Sequence, residues 1–371
     1  MQPAVNDFRN SELALALVQK IKQRTHAKAH LMEFCGSHTA AILKYGLRQL
    51  LPRDVEMLSG PGCPVCVTDQ QDIDRAIALA QTPGIIMCTF GDMLKVPGTY
   101  ASLQQARAEG CDVRTVYSTL DALEIARQNT DKPVVFLGVG FETTAPTIAA
   151  SIALAKSQQL RNYSVFSLAK LCPPVMKALL DGGEIKIDGI ICPGHVSAII
   201  GSHPYEFIVR DYGIACVVAG FEPVDILMAV DMLLAQMENG RPQVEIAYGR
   251  SVSPEGNKRA QELLSEVFEP QAARWRGVGT VDGSGYKICD AYKAFDAERL
   301  FEIKTGPAKE PAGCRCGDVL RGIIKPPECP LFGRICLPER PTGPCMVSGE
   351  GACASYYLFG ETISGNTGLN K

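Results

Sequence analysis

Pro133-Val-Val-Phe-Leu-Gly-Val-Gly-Phe-Glu-Thr-Thr-Ala-Pro146 decides the fold. A short Val/Phe/Leu run stops at a turn with two glycines, and helical periodicity then sets in over Thr147–Ser157. A strand buried on both faces reads as such a continuous apolar run, and strand, turn and helix in succession build a parallel sheet. The same unit recurs from residue 29 to about 225. Strands are expected at His30–Phe34, Val55–Leu58, Gly84–Thr89, Val113–Tyr117, Pro133–Leu137, Tyr163–Leu168, Gly189–Cys192 and Ile214–Val218. Further helices are expected at Asp225–Met237 and Lys258–Phe268. The fold class is therefore α/β, and eight strands suggest two sheets of four.

Several strands run into glycine turns: Phe34 into Cys-Gly-Ser-His38, Leu58 into Ser-Gly-Pro-Gly-Cys63, and Phe90 into Gly-Asp92. Leu137, Cys192 and Val218 do the same. Open α/β sheets bind ligands at the carboxyl ends of their strands. Together these loops favour a cleft; the plainer alternative is that glycine only closes the turns. Residues 84–97 and 134–147 share a strand, Gly, acid and Pro pattern that hints at two halves of related topology.

A chain of 371 residues exceeds what one core supports, so several domains are expected. An apolar share of 46%, with 21% charged residues, describes a globular protein. The net charge of −3 and the lack of a Lys/Arg block argue against a nucleic-acid surface. The N-terminal stretch lacks the apolar run of a signal peptide, and no window is long and apolar enough to span a membrane. A cytoplasmic location is expected. There the 15 cysteines read as ligands or redox groups instead of structural disulfides.

Six of the cysteines fall within 40 residues, at positions 314, 316, 329, 336, 345 and 353, in a segment rich in Pro and Gly. Such a segment has too few apolar residues for its own core, and a bound cluster contributes the missing folding free energy. Irregular thiol spacing favours an iron–sulfur cluster over a Cys₄ zinc site, which shows paired C-x₂₋₄-C knuckles. Cys329, Cys336 and Cys353 are read as ligands, with either Cys314 or Cys316 as the fourth and Cys345 as a spectator.

Cys63-Pro-Val-Cys66 follows a strand and precedes the helical pattern Asp69–Ala80, with Pro64 suited to the first helical position. At a helix N-terminus thiolate is favoured, so a thiol–disulfide switch is preferred over metal binding or an inert turn. Cys35-Gly-Ser-His38 offers a thiol at a strand end, Ser37 as N-cap and an imidazole one turn on, which is an activated nucleophile, half of an iron site, or inert. Glu142 and His195 are candidate cleft residues, with helix capping by Thr143 and Thr144 and a satisfied loop histidine as the alternatives. Asp92 and Glu222 are weaker analogues.

In order, CGSH (35–38), GPGCPVC (60–66), TFGDMLKVPG (89–98), GFETTAPT (140–147), PGHVS (193–197), VVAGFEP (217–223), CPLFG (329–333) and MVSGEGAC (346–353) resemble the HypD family of [NiFe]-hydrogenase maturation factors. The resemblance runs from about residue 30 to 357. Ala40 departs from a family form that often carries a second histidine there. The resemblance implies two related parallel-sheet α/β domains facing a cleft, placed at 29–130 and 131–225. It also implies a C-terminal iron–sulfur domain at 226–371, with an N-terminal helix over 10–24 packing on it. It further implies a scaffold on which iron acquires one carbon monoxide and two cyanide ligands before delivery to the hydrogenase large subunit. The work is done with the chaperone HypC and with cyanide from HypE. Cys35 matches the iron-binding cysteine with His38 beside it, Cys63 and Cys66 the redox pair, and the C-terminal cysteines a [4Fe–4S] cluster. Such a protein is a redox-active assembly scaffold more than a conventional turnover enzyme. Its rivals are an iron–sulfur-dependent thiol–disulfide oxidoreductase and a zinc-stabilised interaction module.

Overall fold

The computed structural model describes residues 8–24 and 28–360. Residues 1–7 of the stretch read as lacking a signal peptide, and 361–371 of the expected third domain, lie outside these. Among these residues eleven strands form: β1 (Ala29–Glu33), β2 (Val55–Ser59), β3 (Ile86–Thr89), β4 (Asp112–Thr115), β5 (Val134–Gly138), β6 (Tyr163–Ser167), β7 (Gly189–Pro193), β8 (Ala215–Ala219), β9 (Val244–Ile246), β10 (Phe268–Trp275) and β11 (Gly279–Ile288). The first eight coincide with the expected strands. Two sheets are wholly parallel, of order β2-β1-β7-β8-β9 and β4-β3-β5-β6, and β10–β11 is an antiparallel hairpin.

Strand membership does not follow the boundary expected between residues 130 and 131. β1 pairs with β7, Leu31 opposite Gly189, so the first sheet draws its strands from both ends of the α/β region. The second sheet is the insert between them. Its neighbours β3 and β5, Ile86 opposite Val134, are the two segments of similar pattern. Their likeness is that of adjacent strands in one sheet, not of one half to another.

Parallel sheets are stable only when both faces are covered. In the β1 sheet Leu31, Ile191 and Val217 pack under helix Pro223–Asn239, while Met32, Ile190 and Val218 face Met176 and Ile208 on the other side. In the β3 sheet Met87, Val135 and Leu137 meet helix Gln70–Ala80, and Ile86, Val134 and Phe136 meet helix Ala145–Ser157. Helix Ser11–Arg24 packs along Pro223–Asn239, burying Val18 and Ile21, with Lys20 and Arg24 both bonded to Asp231 at 2.7 Å. It covers the β1 sheet, not the cysteine-rich segment. Among the described residues no helix is long and apolar enough to cross a membrane.

Candidate functional site

Each sheet has one place where strand order reverses: between β1 and β7 in the first, and between β3 and β5 in the second. Chain leaves such neighbours in opposite directions and opens a crevice at their carboxyl ends. Phe34 and Cys35 follow β1, and His195 follows β7; Phe141, Thr143 and Thr144 follow β5. All of these line one cavity of about 400 Å³, together with Gly62, Pro64 and Glu350.

Cys35 is the N-cap of helix Gly36–Lys44 without a side-chain capping bond. Ser37, expected as the cap, lies in the first turn and donates to Glu350 Oε1 at 2.7 Å. The loops around Cys35 meet backbone to backbone. A Cβ on Gly62 would lie 2.3 Å from Cys35 N, and one on Gly36 would lie 2.1 Å from the Glu350 carbonyl oxygen. Gly36 N–H donates to Gly62 O at 3.0 Å. Burial pushes the Cys35 thiol up to about 12, helped by the charges of Glu350 and Glu33. Glu33 accepts the Cys35 N–H at 2.9 Å, and burial pushes its own carboxyl up to about 8.

His38 is fully buried, and its Nε2 lies 2.9 Å from Gly220 O, so that nitrogen carries the proton. Nδ1 is left as an acceptor with no hydrogen-bond partner among the described residues. Burial pulls this imidazole down to about 4. Phe221 is sandwiched between the rings of His38 and His195, at 4.6 and 3.8 Å. His195 is also pulled down by burial, against the charge of Glu350.

Glu142 lies beneath the cavity and is not part of its lining. It is buried, with Oε1 accepting the Cys172 N–H at 2.8 Å and Oε2 without a partner among the described residues. Burial pushes its carboxyl up to about 7. Thr144 is the N-cap of Ala145–Ser157 but makes no capping bond. Asp92 accepts Ser348 Oγ at 2.9 Å, tying the GEGAC loop to the β3 sheet, and Glu222 holds Arg9 through two bonds of 2.6 and 2.8 Å.

Cys63 and Cys66 are joined by a disulfide. They flank a separate one-turn helix, Pro64–Val67, with Cys63 at its N-cap accepting Cys66 N–H; the next helix starts anew from Asp69. A single turn has little macrodipole, so the thiolate-favouring effect expected from a long helix is weak. This turn packs against Cys316–Leu320 and Pro344–Met346. Behind it the cysteines at 314, 316, 329, 336, 345 and 353 all line one small apolar cavity. Cys345, set aside in the sequence, has its sulfur 2.7 Å from that of Cys316. Its thiol hydrogen bond pulls Cys316 down, whereas burial pushes Cys314 up to about 12. Among the described residues no three His, Cys, Asp or Glu side chains are gathered closely enough to grip a single metal ion.

Sequence reading missed Phe221, Glu350 and Cys172. Only Glu350 carried a local signal, an acid between two glycines beside Cys353.

A thiol at a sheet's switch point, a disulfide beside it and six cysteines packed behind that disulfide define a cysteine-rich protein on an α/β frame. The family model described as HypD, hydrogenase formation hypA family, matches residues 12–360. The chain is 47% identical over 366 residues to hydrogenase maturation factor HypD2 of Bradyrhizobium diazoefficiens, covering 96% of each. It is 46% identical over 367 residues to the HypD of Rhodobacter capsulatus (96% of this chain, 97% of the relative) and 44% identical over 367 residues to that of Cupriavidus necator (96% and 97%). The chain belongs to the HypD family of hydrogenase maturation factors.

Proposed function

We propose that this protein is the scaffold on which the iron of a [NiFe] hydrogenase acquires its cyanide and carbonyl ligands, working with a HypC-type chaperone and a HypE-type cyanide donor. On this reading the two parallel sheets act as two domains about the cleft, and the cysteine-rich segment is the cluster domain. The observation that carries the proposal is the shared cavity: Cys35, the Gly62–Pro64 turn of the disulfide, His195 and Glu350 all reach it.

Iron is cargo here, held by Cys35 and by a thiol of the chaperone, since soft thiolates suit low-spin iron. Liberating cyanide from a thiocyanate needs two electrons: the S–C bond breaks, the sulfur returns to thiolate, and carbon leaves as cyanide. Cys63 and Cys66 as thiolates supply both electrons and become the disulfide. His195 lines the cavity with its ring stacked on Phe221, and His38 is buried on the other face of Phe221 with Nε2–H fixed by Gly220 O, bracing that ring from behind. Glu142, bonded under the loop that carries Thr143 and Thr144, fixes that wall of the cavity.

The six-thiol cavity fits a resident [4Fe–4S] cluster: the donors are soft, the surroundings apolar, and Gly343 leaves the room that a Cβ 2.6 Å from Cys314 Sγ would fill. Cys329, Cys336 and Cys353 with Cys316 are the ligands this reading selects, because Cys316 is buried in the cavity wall beside the disulfide turn, whereas Cys314 is only half-buried. Such a cluster supplies single electrons when bound.

Infrared spectra of the complex with the chaperone test the proposal. Cyanide and carbonyl stretches that disappear in Cys35→Ser are expected. An active complex without them would favour the thiol–disulfide oxidoreductase.

A further inference from the structure

We propose that Arg276 is the positioning residue that couples the Cys63/Cys66 pair to the cysteine cavity, setting one buried positive charge between them. The inference rests on the reading that the cavity holds a redox cluster.

Arg276 sits at the tip of the β10–β11 hairpin, which touches both the disulfide turn and the Cys316 helix where these two pack on each other. Its side chain is 2% exposed. Its N–H donates to Val67 O at 2.9 Å and its Nε to Thr68 O at 3.2 Å; both terminal nitrogens lie 3.2 Å from Gln70 Oε1. Every one of these partners lies within four residues after Cys66. The other side of the tip touches the cluster segment. Gly277, at φ +78°, packs so closely on the residue after Cys316 that a Cβ there would come 2.4 Å from Gly317 Cα. One turn therefore braces the contact between two cysteine segments that are far apart in sequence.

Geometry alone would be served by an uncharged residue. Arginine keeps its charge in proteins, and burying it is costly unless it is paired. Among the described residues its one ionic partner is Glu310, whose side chain is 56% exposed and therefore screened by water. The remaining partners are carbonyls and an amide. A buried cation only partly compensated stabilises whatever nearby group gains an electron. Reducing the disulfide consumes two electrons and two protons and yields two thiols. The electrons come from an external one-electron donor of low potential and the protons from water, and Arg276 itself is unchanged.

The test is the ratio of reduced to oxidised cluster in anaerobic holoprotein poised at one ambient potential, read by electron paramagnetic resonance, with iron and sulfide content measured alongside. Arg276→Gln should lower that ratio on the order of tenfold. Arg276→Lys, which keeps the charge, should stay within about threefold of the parent. An unchanged ratio in Arg276→Gln with full iron and sulfide overturns the proposal, as does a lysine variant that behaves like glutamine. If Arg276→Gln does not assemble, Glu310→Gln decides. Removing the screened counter-charge should raise the ratio about two- to threefold, and no rise overturns the proposal. A parent protein without iron and sulfide fails the cluster reading itself, a distinct result.

Discussion

Replacing Gly62 by alanine separates the disulfide turn from Cys35 without touching a sulfur. The new Cβ would stand 2.3 Å from Cys35 N, 2.5 Å from Cys35 Cα and 2.6 Å from the Phe34 carbonyl carbon. All three are backbone atoms, so no side chain can swing away. Heavy atoms rest at about 3.5 Å, and the loops must part by about 1 Å. That movement breaks the Gly36 N–H bond to Gly62 O. Overpacking of this kind costs about 1–3 kcal/mol. A misplacement of about 1 Å between reacting groups costs on the order of 10²-fold in rate. Urea unfolding measures the first effect, and formation of the infrared-active complex the second. Gly182→Ala is the control, since a Cβ there meets nothing within 4 Å, and it should leave stability unchanged or raise it by up to about 1 kcal/mol. Gly62→Ala with parental stability and parental ligand-transfer rate would refute the close-packed arrangement of the two thiol loops.

With its thiol pushed up to about 12, Cys35 in the isolated protein should be alkylated at a rate rising about tenfold per pH unit from pH 8 to 10; a plateau below pH 9 in mass-spectrometric rates would contradict this. Glu142 has a folded-state value raised to about 7 from 4.5, so its contribution is fully present below pH 4.5 and lost as pH rises through 7. Glu142→Gln should therefore match the parent near pH 4.5 and exceed it by a few kcal/mol at pH 8, and denaturation curves with the same pH slope in both proteins would count against it. Cys316→Ser should lose most cluster iron and sulfide while Cys314→Ser retains it; chemical analysis giving the reverse would move the fourth ligand to Cys314.

The eight strands of the α/β region were legible because most are buried apolar runs, six of them closed by a glycine turn, and all alternate with helical segments. Their assignment to sheets was not. The pairing of Leu31 with Gly189 is fixed by crossover packing, for which the local sequence has no signal. The β10–β11 hairpin was missed for a different reason: β10 carries Pro270 and five exposed or half-exposed polar or small positions, and β11 contains three glycines, which together read as loop. Cys35, His195 and the disulfide turn could be placed at strand ends from sequence, and the structure gathers them. Glu142 occupied the same kind of position, yet its side chain turns under the loop to hold the Cys172 N–H. Which way a loop carboxylate points depends on partners 30 residues away. Arg276 was invisible for the same reason, since the hairpin tip that carries it meets two cysteine segments distant in sequence.

Mössbauer spectroscopy of the ⁵⁷Fe-enriched complex with the chaperone tests the assignment of iron to Cys35 most directly. The account predicts a low-spin iron signal distinct from the cluster signals, with that signal alone missing in Cys35→Ser. A Cys35→Ser complex that keeps the low-spin signal would contradict it.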